Sequence, residues 1–296
     1  MNLLIAGHSV LDTIILAGET KIQPGGIFYT VAGINAVRNK NDKIDLLTQM
    51  DYLNYSYFSQ QFSEINLINK LTDKRIPSVI LETPENEERR EKYENFAGNL
   101  NLLSIKDSSE YDGMLLNMIT GNDVDPDELI SFSASIKGKI YFDVHTLARG
   151  TDVDGNRNFR KIPFAGKWLS CIDILQANES EILTLDESDN ELETVRSILK
   201  SRVSLVIVTK GKSGLTCYRN GSRGMEIIEI PAKKAKSINS VGCGDIFGAV
   251  FFYSYITGLN LLESLHKAAS ASALVTSFKD IKQFNSLKNV FNRHFT

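Results

Sequence analysis

A chain of 296 residues, 42% hydrophobic and 23% charged, is long enough for one large α/β core and has the composition of a soluble globular protein. Its 33 Lys and Arg against 36 Asp and Glu leave a net charge of -3, which argues against a general affinity for nucleic acid or an acidic membrane surface. The three cysteines, Cys171, Cys217 and Cys243, form no CxxC pair, so neither a disulfide framework nor a zinc site is expected. That cysteine usage suits a reducing compartment. The opening MNLLIAGHSVLD lacks a signal-peptide pattern and no apolar stretch is long enough to span a bilayer, so a cytoplasmic protein is expected.

In chain order, short β-rich runs at residues 3–6, 45–48, 115–118, 140–144, 172–175 and 205–209 predict strands. Several are apolar on both faces, as in strands covered by helices on each side. The segments between them read as helices. Asn190 predicts an N-cap for a helix with the stripe Leu192, Val195, Ile198 and Leu199, and Leu262, Leu265, Ala269 and Ala273 form a second stripe. This alternation predicts a three-layer α/β/α fold around a mainly parallel central sheet.

Residues 69–101 break the rhythm. They carry a dense run of charge with a single clear strand at 78–82, followed by a turn at Pro84-Glu85-Asn86. The segment reads as a small exposed β lid, to which parts of 13–23 supply further strands. The run ENEERREKYE reads as a solvated face, with an inward-reaching Arg89 or Arg90 as the alternative. Such a lid serves equally as a flap or as the clasp of a homodimer. With no internal repeat or low-complexity linker, residues 1–296 are expected to form one domain with this lid.

The segment SINSVGCGDIFGAVFFYSYI carries the most chemistry. Its run at 246–256 is apolar nearly all round and predicts a buried helix, whose first N–H groups belong to the glycine turn before it. Glycines let that backbone approach a ligand closely, and the helix dipole favours an anion there. Asp245 then stands beside an anion site. A carboxylate in that place makes sense as the base that takes a proton from an attacking hydroxyl, while a plain N-cap is the structural alternative. Asn178 and Glu181, one helical turn apart after the run at 172–175, suit a hydrated Mg²⁺ or a simple helix cap. Asp143, His145 and Arg149 close the run at 140–144, a ligand-side position; His145 is either a contact there or a satisfied structural histidine. Gly211-Lys212-Ser213 mimics the end of a phosphate-binding loop, but the required first glycine would fall at Val206, inside a strand. Asp123, Asp125 and Asp127 mimic a calcium loop that Pro126, Glu128 and Ala134 rule out.

The stretch from Asn239 to Asp245, NSVGCGD, resembles the second signature of the ribokinase-like (PfkB-type) carbohydrate kinases, D-T-x-G-A-G-D. Further motifs follow in family order along nearly the whole chain: AGHSVLD, PGGIFYTVAGINA, NESE at 178–181 and TKGKSG at 209–214. The resemblance implies the ribokinase-like fold and ATP-dependent phosphorylation of a hydroxyl group of a sugar or polyol. It implies an anion hole at Gly242, Cys243 and Gly244, with Asp245 as the catalytic base. Asp12, Gly25 and Gly26 would meet the substrate, Asn178 and Glu181 would organise Mg²⁺ through water, and Thr209, Gly211 and Gly214 would bind ATP. The segment from Asp143 to Arg149 is similar to the D-x-N-x-R of ketodeoxygluconate-type relatives and brings both residues toward the substrate.

Two departures qualify the resemblance. Thr30 replaces the Asn of G-G-x-x-x-N, so one substrate contact differs. Asn239 replaces an Asp that in many members helps hold a monovalent cation, so potassium activation is not implied. A nucleoside kinase of the same family and an inactive sugar-sensing relative are the alternative readings. GHSVLD with GGIFYTVAG is similar to inositol-kinase-like members. The Asp12 carboxylate favours a neutral polyhydroxylated acceptor over a phosphorylated one, and Phe28 and Tyr29 either pack on its ring or belong to the core. A thiol of lowered pKa is a further reading for Cys243 at a helix N-terminus.

Overall fold

The computed structural model describes residues 1–16, 19–82, 90–153, 155–233, 235 and 238–295. The chain begins with β1 (Asn2–Ala6), β2 (Ser9–Leu16), β3 (Glu19–Gly26), α1 (Ile27–Val37), β4 (Lys43–Leu47), α2 (Tyr55–Phe62) and the short β5 (Asn66–Leu67). Next come β6 (Ser78–Glu82), β7 (Arg90–Glu94), β8 (Gly113–Asn117), α3 (Pro126–Ser133), β9 (Lys139–Asp143) and a hairpin of β10 (Arg149–Thr151) and β11 (Arg157–Phe159). The remainder is α4 (Ala165–Leu169), β12 (Ile174–Asn178), α5 (Glu179–Ile182), α6 (Glu191–Ile198), β13 (Leu205–Thr209), β14 (Leu215–Gly221), β15 (Gly224–Ile230), α7 (Cys243–Ile256), α8 (Leu261–Val275) and α9 (Leu287–Phe295).

Nine strands form one sheet in the order β15-β14-β13-β12-β9-β8-β1-β4-β5. It is parallel from β13 to β5, and β14 and β15 close one edge as an antiparallel hairpin. Successive side chains on a strand point to opposite faces, and here both faces are covered. Leu3, Ile5, Leu115, Tyr141, Ile174 and Ile207 join one core with Ile34 of α1, Phe251 of α7 and Leu265 of α8. Leu4, Ala6, Leu116, Phe142, Leu175 and Val208 join the other with Leu129 of α3, Trp168 of α4 and Val195 of α6. The result is the three-layer α/β/α arrangement expected from strands with no polar face. The predicted runs are all strands of this sheet. The largest shift is at 172–175, where β12 runs on to Asn178.

Asn190 caps α6 as expected, its side-chain oxygen accepting from the Glu193 N–H. The stripe on α8 differs from expectation: its buried residues are Leu261, Ser264, Leu265, Ala268, Ala271 and Val275, while Leu262 is exposed. The reason is that α8 packs against α7 on one side and borders a groove on another. Ala269 and Ala273 line that groove.

A second sheet, β3-β2-β6-β7, forms the lid. Strand β6 matches the predicted 78–82, and β7 forms within the run read as a solvated face. Val10, Val79, Leu81 and Tyr93 make its inner apolar face, closed by Ile119. The first strand leaves the main sheet at Gly7 and His8, where the Gly7 N–H donates to Leu47 and the His8 N–H to Asp123. Because β2 starts at Ser9, Asp12 stands inside the lid, paired with Gln23 on one side and Val79 on the other. Among the described residues no helix is long and apolar enough to cross a membrane, and the three cysteines are free.

Candidate active site

The N-terminal turn of α7 sets the site. Gly242 is its N-cap at φ 80°, a left-handed conformation, and a Cβ there would lie 2.4 Å from the Tyr29 ring. Only glycine avoids both the strain and the clash. Cys243, Gly244 and Asp245 form the first turn, and the N–H groups of Gly244 and Asp245 have no backbone acceptor among the described residues. Two donors and the dipole end therefore face outward from a helix whose next residues, Ile246 through Ser254, are all buried.

Asp245 is 7% exposed and is held from below. The Asn117 amide, at the end of β8, donates to Asp245 Oδ1 at 2.5 Å and to the Thr30 hydroxyl at 3.2 Å. Thr30 is fully buried and is linked to Asp245 through Asn117. Asn117 was missed by sequence reasoning. Its signal is a polar side chain closing an apolar parallel strand at the carboxyl edge, where such folds bind ligands.

Two cavities meet at this turn. A groove of about 640 Å³ runs from Asn178, Glu181, Thr209, Gly211 and Gly214 past Lys212 and Lys233 to Cys243 and Gly244. A pocket of about 50 Å³ lies under the lid, lined by Asp12, Gly26, Tyr29, Glu91, Tyr93 and neighbours. His145, Gly242 and Asp245 line both. A third cavity, about 680 Å³ between α1, α2 and the approach to α9, shares no residue with either.

On the lid side, Asp12 is 4% exposed, and a Cβ on Gly25 would lie 2.1 Å from its carboxylate. Gly25 is therefore what lets that carboxylate lie against β3. Glu91 of β7, 6% exposed, brings a second lid carboxylate that the sequence did not reveal. Tyr93 donates its hydroxyl to the Ile119 carbonyl. Phe28 belongs to the core, edge-on to Phe58 and Phe284. Tyr29 is buried beneath Gly242, its hydroxyl accepting from Gln23. Arg89 lies outside the described residues, and Arg90 is described only in its backbone, as the first residue of β7.

On the groove side, Asn178 and Glu181 form a capping box. The Asn178 side chain accepts from the Ser180 and Glu181 N–H groups, and Glu181 Oε2 accepts from the Asn178 N–H. The cap is therefore present, and it fixes Glu181 at the groove wall. Burial holds the Glu181 carboxyl above its ordinary range, although the charges of His145 and Arg149 and the Asn178 N–H pull the other way. Asp143 is held well above the usual carboxylate range by burial and by the charges of Glu181 and Asp245. Gln176 ties it in, donating to Asp143 Oδ2 at 2.8 Å and to the Gly244 carbonyl at 3.2 Å while accepting from Tyr141.

Arg149 lies over the Phe159 ring, 4.1 Å from its centroid, beside the groove and not among the residues lining the lid pocket. The Asn239 side chain accepts from the Val241 N–H, a local turn leading into Gly242. Burial and the nearby Asp245 push the Cys243 thiol up to about 12, opposite to the lowered value a reactive thiol needs.

Residues 124–284 match the model of the pfkB family of carbohydrate kinases. Among curated proteins, the chain is 29% identical over 113 residues to the 5-dehydro-2-deoxygluconokinase of Clostridium beijerinckii, covering 37% of this chain and 32% of that protein. It is 30% identical over 117 residues to the enzyme of that name from Clostridium tetani, covering 36% and 34%. The matched stretch thus spans about a third of the length of these relatives. In fold, the chain is similar to a pyrophosphate-dependent kinase of the ribokinase family complexed with a pyrophosphate analog and myo-inositol, at TM-score 0.79 and 15% identity over 98% of this chain and 100% of that one. It is also similar to an Arabidopsis thaliana ribokinase complexed with ribose and ATP, at TM-score 0.69 and 15% identity over 98% and 97%. The fold is that of ribokinase, and the chain belongs to the pfkB family of carbohydrate kinases.

Proposed function

We propose that this chain transfers the terminal phosphoryl group of ATP to a hydroxyl of a neutral sugar or polyol, with Asp245 as general base and the turn of Gly242, Cys243 and Gly244 as anion hole, its free donors being the Gly244 and Asp245 N–H groups. The observation that carries this reading is the position of Asp245, buried at a helix N-terminus where a large groove and a small pocket meet. A carboxylate there sits within reach of a hydroxyl in the pocket, and the adjacent N–H groups face the charge that builds on the transferred phosphoryl. Asn117 occupies one carboxylate oxygen and leaves the other for the acceptor proton.

The difference in size supports a nucleotide in the groove and a compact acceptor under the lid. Leu215, Pro231, Ala232, Ala269 and Ala273 offer an apolar wall for a base, and Lys212 and Lys233 offer cations for its phosphates. Thr209, Gly211 and Gly214 belong to the same wall. In the pocket, Asp12 and Glu91 are acceptors for adjacent hydroxyls, and among the described lining residues there is no Lys or Arg to meet an anionic substituent. Gly25, Gly26 and Asp12 form its floor in this reading. The residues also suit Mg²⁺: Glu181 and Asp143 are carboxylates whose charged forms are disfavoured by burial and mutual repulsion, which a hydrated cation would relieve. Bound there, Mg²⁺ would neutralise charge on the donor phosphates. One domain with its lid, in a reducing cytoplasm, completes the proposal.

Release of ADP should be followed across free pentoses, hexoses, cyclitols, sugar acids, nucleosides and sugar monophosphates, with pyrophosphate as a competing donor. The expected result is ATP-dependent turnover of a free neutral polyol, with kcat/KM at least about tenfold above that of its monophosphate. Turnover confined to nucleosides, to phosphorylated sugars or to pyrophosphate would overturn the corresponding part.

A further inference from the structure

We infer that His145 is a third catalytic residue, donating a hydrogen bond to the phosphoryl group as it passes between the two cavities; this rests on the phosphoryl-transfer reading above. Among the described residues only His145, Gly242 and Asp245 line both cavities. A group that leaves the groove and enters the pocket must pass between residues that border both. Two of the three already have roles, one as the base and one in the anion hole. His145 is the side chain that remains.

Its local structure argues against a residue kept for packing. His145 has φ 39°, in the left-handed region that a non-glycine residue adopts only at a cost in strain. Such strain persists only where neighbours over-determine the backbone, and they do. Thr146 donates its hydroxyl to the Met118 and Ile119 carbonyls and its N–H to Met118. Arg157 donates to the Thr146 carbonyl at 2.8 Å, and the His145 N–H itself donates to Asp143. The fold thus invests in holding this ring at the junction. The ring's Nδ1 is buried without a hydrogen-bond partner among the described residues. A buried polar atom left unpaired in a native fold calls for a functional account.

The chemistry of the surroundings supplies one. Asp143, Glu181 and Asp245 are acceptors when ionised, so none can stabilise an incoming phosphoryl group. An imidazole brings an N–H donor into that acidic corner in either tautomer. In the step, the acceptor hydroxyl gives its proton to Asp245 and its oxygen bonds to the γ-phosphorus. The bond from that phosphorus to the bridging oxygen breaks, and the nucleoside diphosphate leaves with the electron pair. His145 exchanges no proton in the balance; its N–H follows the oxygens that gain charge.

His145→Gly removes the ring at a position whose left-handed backbone glycine adopts without strain. His145→Asn is the second variant, tolerant of the left-handed backbone but too short to reach. With ATP and the polyol turned over by wild type, each should lose about 10²–10³-fold in kcat, as for deletion of an oxyanion donor, with both KM values held within about threefold. Added imidazole should restore part of the activity of His145→Gly alone. Variants that keep more than about a third of wild-type kcat, or that change only KM, would overturn the inference while the kinase reading stands. A wild-type protein that transfers no phosphate to any acceptor would overturn both.

Discussion

The N-terminal turn of α7 and the lid sheet border the same pocket but are built in opposite ways. The turn is one contiguous stretch, residues 242–245, on a helix buried from Asp245 to Ser254, and in the proposed mechanism its working groups are backbone N–H donors. The lid instead lines the pocket with side chains brought together from far apart: Asp12 on β2, Glu91 and Tyr93 on β7, joined through the parallel pairing of β2 with β6 and the antiparallel pairing of β6 with β7. Rigid contiguous backbone suits an anion hole, which must be in place before charge develops. An assembled side-chain surface suits recognition, because one residue can change without moving the others. The account therefore divides the kinetics: damage to the turn should appear in kcat, and damage to the lid in the acceptor KM.

Gly242→Ala should have the largest effect of the substitutions that test this division. Its Cβ meets the Tyr29 ring and its backbone is left-handed, so the anion hole cannot keep its shape. We expect a loss of about 10²–10³-fold in kcat, measured by steady-state ADP release. Asn117→Ala frees the base without removing it and should cost about 10–10²-fold in kcat, with acceptor KM little changed. On the lid, Glu91→Gln should raise the acceptor KM about tenfold and leave kcat and the KM for ATP near wild type. A fall in kcat with no change in KM would erase the proposed division. The smallest effect concerns stability. Folding raises the pKa of Asp143, so its carboxyl adds stability below its unfolded value, near 4, and loses it as pH rises through the folded value. Asp143→Asn should therefore gain on wild type in Tm as pH rises from about 4 to 7. A Tm difference that does not vary with pH would contradict the electrostatic account of this corner.

The same contrast explains what could be read from the sequence. The α7 turn was legible because its glycines, its carboxylate and its helix are adjacent in the chain, and the central strands because an unbroken apolar run has few other folded forms. Asn178 with Glu181 was legible as a pair, and the structure adds the capping box that fixes it at the groove wall. Asn117 and Gln176 were not legible: each is a single polar residue in a buried strand whose partners lie 128 and 68 residues away. Glu91 was hidden inside a charged run that reads as solvated surface, because nothing local says which face of β7 turns inward. His145 could be named but not weighed, since its strain and its unpaired nitrogen are properties of the folded loop.

The most direct test of the central claim is the kcat of Asp245→Asn beside its affinity for ATP. Asparagine fills the same space under the Asn117 amide but cannot take a proton. The account predicts a folded protein that binds ATP about as tightly as wild type and loses about 10²–10⁴-fold or more in kcat for the polyol. A variant that keeps more than about a tenth of wild-type kcat would contradict the assignment of Asp245 as the base.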